Sequence, residues 1–306
     1  MGQAVEVWRG SVATWECDSM GHLNVGFYVA KAMEALVGLA AELGMPHAFA
    51  PYADATLIVR EQHIRFLREA QVGARLHIEA GVLEMGEDDA RVLLLMRHHD
   101  GELAASFQML VAHATPREGR TFPWPAWARA RAAALNIDLP EKAAPRGVAL
   151  GPIEPAASLP RALELGLKRI GMGAFRVGDC DSFGRIRTEL VMARISDSIA
   201  HLMAALLADL AADGGARVGA VILEYRLVYL EWPRAGDRYE LRSGFTGSEP
   251  RLRRMMHWFL DPATGRPWAS AEAVSAIFDL ETRKTVSLTE TELAAWAELS
   301  VPGLTI

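Results

Sequence analysis

Apolar residues near the start of the chain recur at helical spacing. Phe27, Ala30, Met33, Leu36, Val37 and Ala40 mark one face of a segment running from Val25 to about Leu43, and Gly44 supplies a stop. The period then changes. Thr56–Phe66, Ala74–Leu83, Arg91–His98 and Leu103–His113 read as strands, punctuated by Gly73, Gly86 and the hairpin signal Asp100-Gly101. A shorter strand is predicted at Val5–Ala13. One long helix followed by an antiparallel meander is an α+β unit. The sheet has an apolar face to bury, and the helix is the available cover.

The pattern occurs twice. A shift of 163 places Cys17-Asp-Ser-Met-Gly21 on Cys180-Asp-Ser-Phe-Gly184, and without a gap it carries Ala30 onto Ala193, Leu39 onto Leu202, Glu61 onto Glu224 and Gly73 onto Gly236. About a quarter of positions 17–73 are identical under this shift; beyond them the register slips by one, so that Gly101 meets Gly265 and Ala105 meets Ala269. Chance would not hold one register for so long, and a repeat missed at this stage would miscall the fold. The second set of strands is predicted at Ala220–Leu230, Asp237–Phe245, Leu252–Leu260 and Trp268–Leu280. The expected organisation is unit 1 at 1–115, a Pro-rich connector at 116–172, and unit 2 at 173–306, a degenerate copy with a C-terminal tail. Short helical pieces are expected at Ala126–Leu135 and Leu159–Leu167. The connector, with its aromatic patch from Phe122 to Trp127, reads either as a loop packed on the sheet or as a lid over a pocket.

Composition narrows the function classes. Of 306 residues, 51% are hydrophobic and 23% charged, which suits a globular protein with a substantial core. The net charge of −6 lacks the dense basic surface that nucleic-acid binding requires. Two cysteines, Cys17 and Cys180, are too few for a disulfide framework and suit a reducing compartment. The first residues lack the basic and apolar regions of a signal peptide, and the apolar run Ile199–Leu210, interrupted by His201 and Asp209, is too short to span a bilayer. The expectation is a cytoplasmic protein with neither nucleic-acid nor membrane partners.

Candidate chemistry concentrates in Trp15-Glu-Cys-Asp-Ser-Met-Gly-His-Leu-Asn-Val-Gly-Phe-Tyr28. An acid, a glycine, a histidine and an asparagine stand immediately before the long helix. A helix N-terminus offers unpaired N–H groups and partial positive charge, which can hold an oxyanion developing on a polarised carbonyl. A carboxylate in the preceding loop could activate water or attack directly.

Asp18, Gly21, His22, Asn24 and Tyr28, followed by Phe66-Leu67 and Gly73, resemble the hotdog-fold acyl-CoA thioesterases of the 4-hydroxybenzoyl-CoA thioesterase group. The resemblance covers nearly all of copy one and reaches copy two through Asp181, Gly184, Tyr229, Leu230 and Gly236. It implies a tandem hotdog: two long helices, each wrapped by an antiparallel sheet, forming a pseudo-dimer within one chain. It implies hydrolysis of an acyl-CoA thioester to free acid and CoA, with no cofactor beyond the CoA moiety of the substrate. Whether such pseudo-dimers associate into a homo-oligomer is left open.

By the same resemblance Asp18 is the catalytic carboxylate, as nucleophile or general base, and His22 and Asn24 orient water or the thioester. Gly21 and the following N–H groups polarise the carbonyl, and Tyr28 is a pocket wall or a core residue. Copy two keeps Asp181 but has Arg185 for His22, Arg187 for Asn24 and Val191 for Tyr28. Arg187 is therefore a candidate for an anionic part of the ligand such as a CoA phosphate.

Other residues carry weaker signals. An acid in a Ser/Gly loop often makes a local turn, and Asn24 could simply cap the helix. Glu61, matched by Glu224, is a substrate-binding candidate, although an acid on a strand usually faces solvent. Glu34 in the long helix is a rival base, and Arg251, Arg253 and Arg254 read as a solvated face with a secondary reading in CoA binding. No His/Cys/Asp grouping has metal-ligand spacing. Two rival functions stand beside hydrolysis: a hydro-lyase acting on enoyl thioesters, and a non-catalytic acyl-CoA-binding module.

Overall fold

The computed structural model describes residues 2–210, 218–279, 282 and 284–306. Contacts divide the chain into two compact units, Met1–Pro145 with Arg176–Ala193, and Arg146–Phe175 with Arg194–Ile306. Unit 1 contains β1 (Val5–Ser11), α1 (Val25–Glu42), β2 (Thr56–Phe66), β3 (Arg75–Met85), β4 (Asp89–His98) and β5 (Leu103–Ala114). Its strands pair antiparallel in the order β1-β3-β4-β5-β2.

The second copy repeats this plan. Its elements are β6 (Lys168–Ala174), α4 (Glu189–Leu210), β7 (Val218–Tyr229), β8 (Arg238–Ser248), β9 (Leu252–Leu260) and β10 (Pro267–Asp279). They pair in the order β7-β10-β9-β8-β6, the same order element for element, with the short β11 (Lys284–Thr285) beside β10. The expected end of the fourth strand, Leu280, lies outside the described residues.

Besides the short β11, two elements are additions to the predicted set. In β6, Gly171 and Gly173 stand where strand formers would; a Cβ at Gly171 would come within 2.4 Å of the Ser198 hydroxyl oxygen on α4, so the glycine permits close approach of helix and strand. The helix α5 (Glu290–Glu298) is announced by Thr289-x-x-Glu292. The Thr289 N–H donates to Glu292 Oε2 at 2.7 Å, and the Glu292 N–H donates to Thr289 Oγ at 3.3 Å, a capping box.

The core of unit 1 lies between α1 and its sheet. Val29, Ala32, Leu36 and Leu39 are fully buried. On the opposite side of the sheet, Leu93, Leu95 and Leu103 cluster with Ala143 of the connector. Alternation along β4 therefore turns Val92, Leu94 and Met96 toward α1.

The connector contains α2 (Ala126–Ala134) and α3 (Leu159–Glu164) and is held to each sheet separately. In unit 1 the buried Trp124 stacks on His113 at 4.7 Å and donates its indole N–H to Asp89 O at 2.8 Å. Gln108 donates to Ala143 O at 2.9 Å, and Arg65 to Ala144 O at 3.1 Å. In unit 2 the Glu224 carboxylate accepts the backbone N–H groups of Arg146 at 2.9 Å and Gly147 at 2.6 Å. Arg226 donates to Ala149 O at 2.9 Å and Gly151 O at 2.6 Å. The connector packs on the outer face of each sheet. These attachments also explain why the contact boundary falls at 145/146, inside the stretch that composition sets apart as linker.

The arginine cluster departs from expectation. Arg251 bonds Ser287 Oγ at 3.0 Å, and Arg254 donates to Gly147 O on the outer face, but Arg253 is only 3% exposed. Strand alternation turns Arg253 away from the connector side, so it is not part of a solvated face. Among the described residues, no helix is long and apolar enough to cross a membrane.

Unit 2 buries a histidine where unit 1 has a leucine. By its place in the ladders, opposite Ser243 and Ala271, His257 stands where Leu94 stands opposite Ala80 and Phe107; its Nδ1 lies 2.7 Å from Ser243 Oγ, and burial depresses its pKa from the ordinary 6.5 to about 4. Ser243 and the Tyr225 ring, 6.2 Å away, are its polar neighbours, and both are uncharged at neutral pH. The folded state thus binds this proton less readily than the unfolded chain. The contribution is complete above the unfolded pKa and is lost as pH falls from about 6.5 toward 4, in total on the order of 3 kcal/mol. Thermal unfolding followed from pH 7.5 to 4.5 should show this loss in the native chain and a shallower slope in His257→Leu.

Candidate active site

The segment before α1 folds as a tight turn closed by its own acid. Asp18 O accepts the Gly21 N–H at 3.0 Å, and the Asp18 N–H donates to His22 O at 2.8 Å. Asp18 Oδ1 accepts two further amides, Met20 N at 2.8 Å and His22 N at 3.1 Å. Gly21 sits at φ 78°, the left-handed region that glycine adopts without a Cβ penalty. The turn is pinned to the strand side of the unit by Leu23 N donating to Ala70 O at 2.8 Å.

Helix α1 then starts from Asn24. Its φ of −66° and ψ of 142° are those of an N-cap, and its Oδ1 accepts the Gly26 N–H at 2.9 Å. The Phe27 and Tyr28 N–H groups turn back to Asn24 O. Of the amides from Gly21 to Tyr28, Val25 N–H alone has no acceptor among the described residues. Gly21, expected to supply a donor to the substrate, has its N–H engaged inside the turn; its part is to shape the loop. The donor that the helix start leaves over is Val25, one residue beyond the cap.

The other expected residues separate into two groups. His22 is close to Asp18 and leans on an acid that the sequence motif does not mark: its Nε2 lies 3.3 Å from Glu69 Oε2. Tyr28 is a core residue. Its hydroxyl oxygen accepts the Ala70 N–H at 3.1 Å, its ring meets Phe66 edge-on at 5.3 Å, and burial pushes its pKa up to about 12. Glu61 belongs elsewhere, buried on the outer face of β2 and paired with Arg91 at 3.1 Å. The solvent-facing reading of Glu61 is wrong because its partner stands two strands away, beyond the reach of any local pattern. Glu34 is exposed and accepts the Trp8 indole N–H at 2.6 Å.

The second loop, which belongs to unit 1 by its contacts, has the same skeleton with different decoration. Asp181 Oδ1 accepts Phe183 N at 2.8 Å and Arg185 N at 3.0 Å, and Gly184 has φ 80°. The difference is at the other oxygen. Arg185 Nε reaches Asp181 Oδ2 at 3.4 Å from a buried position, whereas Asp18 Oδ2 has no hydrogen-bond partner among the described residues. Arg187 is half-exposed and lies 3.5 Å from Glu189 Oε1. Glu189, at the start of α4, is a further titratable group that the motif does not reveal. Burial raises its pKa, and the nearby Glu34 and Asp181 add to the rise.

The family profile described as Thioesterase-like superfamily matches residues 12–132 and again 175–296. No curated protein matches the sequence. Solved structures show a shared hotdog fold across both halves. A protein from Lactobacillus plantarum assigned as an oleoyl thioesterase aligns with TM-score 0.66 at 12% identity, covering 90% of this chain and 96% of its own. The 12:0-ACP thioesterase from Umbellularia californica aligns with TM-score 0.66 at 14% identity, covering 90% and 94%. An acyl-ACP thioesterase from Bacteroides thetaiotaomicron VPI-5482 aligns with TM-score 0.58 at 10% identity, covering 88% and 96%.

The cap can be tested apart from any chemistry. Asn24→Ala should lower stability by about 1 kcal/mol, while Asn24→Asp, which keeps an accepting oxygen for Gly26, should stay within a few tenths. Denaturant melts of the two variants against the native chain provide the comparison.

Proposed function

The chain belongs to the thioesterase-like superfamily, and from that premise we propose that it hydrolyses an acyl-CoA thioester to the free acid and CoA, with Asp18 as the working carboxylate. The observation that carries this reading is the asymmetry between the two loops. In both, the turn engages one carboxylate oxygen. In the second, Arg185 engages the other as well; in the first, Asp18 Oδ2 is left for a substrate or a water.

The steps follow from that arrangement. The thioester carbonyl lies at the start of α1, where Val25 N–H and the positive end of the helix stabilise the oxygen as charge develops on it. Asp18 Oδ2 takes the proton of an attacking water, or attacks the carbonyl itself; a mixed anhydride formed that way is then hydrolysed. The turn keeps Oδ1 bonded to two amides throughout, so the carboxylate pivots little and presents one oxygen. His22, resting on Glu69 through Nε2, orients the water or the thioester. Asn24 acts by fixing where the helix begins, and Tyr28 by holding α1 to Ala70. CoA leaves as the thiol and the acid as its carboxylate.

Asp18→Asn should reduce hydrolysis by about 100- to 10,000-fold, the usual worth of a general base, while Asp181→Asn leaves most of the activity. Free-thiol release from CoA esters of graded length, and from an acyl-ACP (the substrate class named for two of the fold neighbours), measures both. Equal loss from the two variants would overturn the one-sided assignment.

A further inference from the structure

The helix-facing side of the second sheet carries polar groups that have no hydrogen-bond partner among the described residues. In β9 the outer positions are Met256, Trp258 and Leu260, which pack with Leu167, Leu304 and Ile306. Arg253, Met255 and His257 alternate with them and face the other way. Directly across the ladders from Arg253 stand Ser248 on β8 and Ser275 on β10. The same three positions in unit 1 are Ala90, Met85 and Val111, paired in the same register. The architecture therefore works with apolar residues here, and the change to arginine and two serines needs another reason.

Arg253 is 3% exposed, and one nitrogen is satisfied: Nη1 donates to Glu249 O at 3.2 Å and Leu252 O at 3.0 Å. Its guanidinium lies 4.8 Å from the Trp296 ring. Among the described residues, Nε and Nη2 are buried without an acceptor, as is Ser248 Oγ opposite. Glu292 is the acid that acts on it from α5, but Glu292 Oε2 is committed to the cap of its own helix. Burial pulls the Arg253 pKa down, yet a guanidinium keeps its charge in proteins. A buried cation whose neighbouring acid makes no hydrogen bond to it is unfavourable. Moreover, the two orphaned nitrogens share one edge of the guanidinium, the Nε–Nη2 edge that receives both oxygens of a carboxylate in a fork.

A second orphan lies further along the same face. Among the described residues His257 Nε2 is buried without a partner, four residues from Arg253 and thus about 13 Å away along the strand. Met255 lies between them, and the facing positions on β10 are Ala273 and Ala271, small residues where unit 1 has Met109 and Phe107. An anion receptor, an apolar floor and a neutral hydrogen-bonding group follow one another.

We propose that this face of unit 2 binds an aliphatic carboxylic acid, its carboxylate on the Nε–Nη2 edge of Arg253 beside Ser248 and its chain over Met255 toward His257. An acid of this kind is the class of product that thioester hydrolysis releases, but its binding here is independent of that reaction.

Calorimetric titration of the full-length protein with dodecanoate, 1-dodecanol, acetate and inorganic phosphate provides the test. Dodecanoate should bind saturably, and dodecanol and acetate at least about tenfold more weakly. Arg253→Met should weaken dodecanoate by about 10- to 100-fold, the range set by lost charge-assisted hydrogen bonds, without weakening dodecanol. Arg253→Lys, which keeps the charge without the fork, should fall in the same range, and Ser248→Ala should weaken it less. Dodecanoate bound equally by the native and Arg253 variants, or phosphate bound in preference to dodecanoate, would overturn the assignment. Heat of binding is read without turnover, so a chain inactive on thioesters still decides it.

Discussion

Each copy of the repeat depends on one carboxylate oxygen that satisfies two backbone amides. Asp18 Oδ1 and Asp181 Oδ1 make the same pair of bonds, to the residues two and four positions later, around a glycine with positive φ. An acid at the first position of such a reversal supplies acceptors to its amides within its own turn, an Asx-type closure that holds in the exposed first copy and the half-buried second. The reversal delivers the chain to the helix start, and the helix fixes the inner face of the sheet. Remove the acid, and the turn that leads to the helix start loses the bonds that close it.

Because that duty falls on one oxygen only, the other is available for divergence. Position 22 and its counterpart 185 decide what becomes of it. A histidine at the first site turns to Glu69 and leaves the carboxylate alone; an arginine at the second reaches back to Asp181. One substitution thus separates a loop whose carboxylate is engaged through both oxygens from one whose second oxygen has no hydrogen-bond partner among the described residues. The interiors diverged as well. Unit 1 is filled by Phe107, Leu94 and Met109, whereas unit 2 replaces them with Ala271, His257 and Ala273 and gains polar atoms that its own strands do not satisfy.

Most of the architecture was legible because its signals are local. The 3.6-residue period of α1, the glycines between strands and the fixed offset of the repeat are written in neighbouring residues. Asp18 and Asn24 were legible for the same reason, and the turn and cap they form are those that their residue types favour. What was hidden depends on distant partners. Glu61 reads as a surface acid until Arg91, two strands away, is brought beside it. Glu69 has no motif; only the fold sets it against His22. Arg251, Arg253 and Arg254 read as one charged patch, yet strand alternation sends the middle one inward, and nothing in the triplet marks which neighbour has the connector against it. The glycines of β6 obscured a strand because Gly171 serves the close passage of α4 and Gly173 makes room for the Tyr239 ring on β8, rather than strand propensity.

The way the connector is fastened bears on how such a protein could be taken apart. Its backbone supplies donors to Glu224 and acceptors to Arg65, Gln108 and Arg226, and its Ala143 completes the outer cluster of Leu93, Leu95 and Leu103. A tether of that kind has been absorbed into what it joins. Fission of the gene at this stretch would strip each product of its outer covering and leave a carboxylate or a guanidinium on the bare sheet without its bonds. The linking segment is thus a building material of both halves, and neither half keeps its outer surface intact without it.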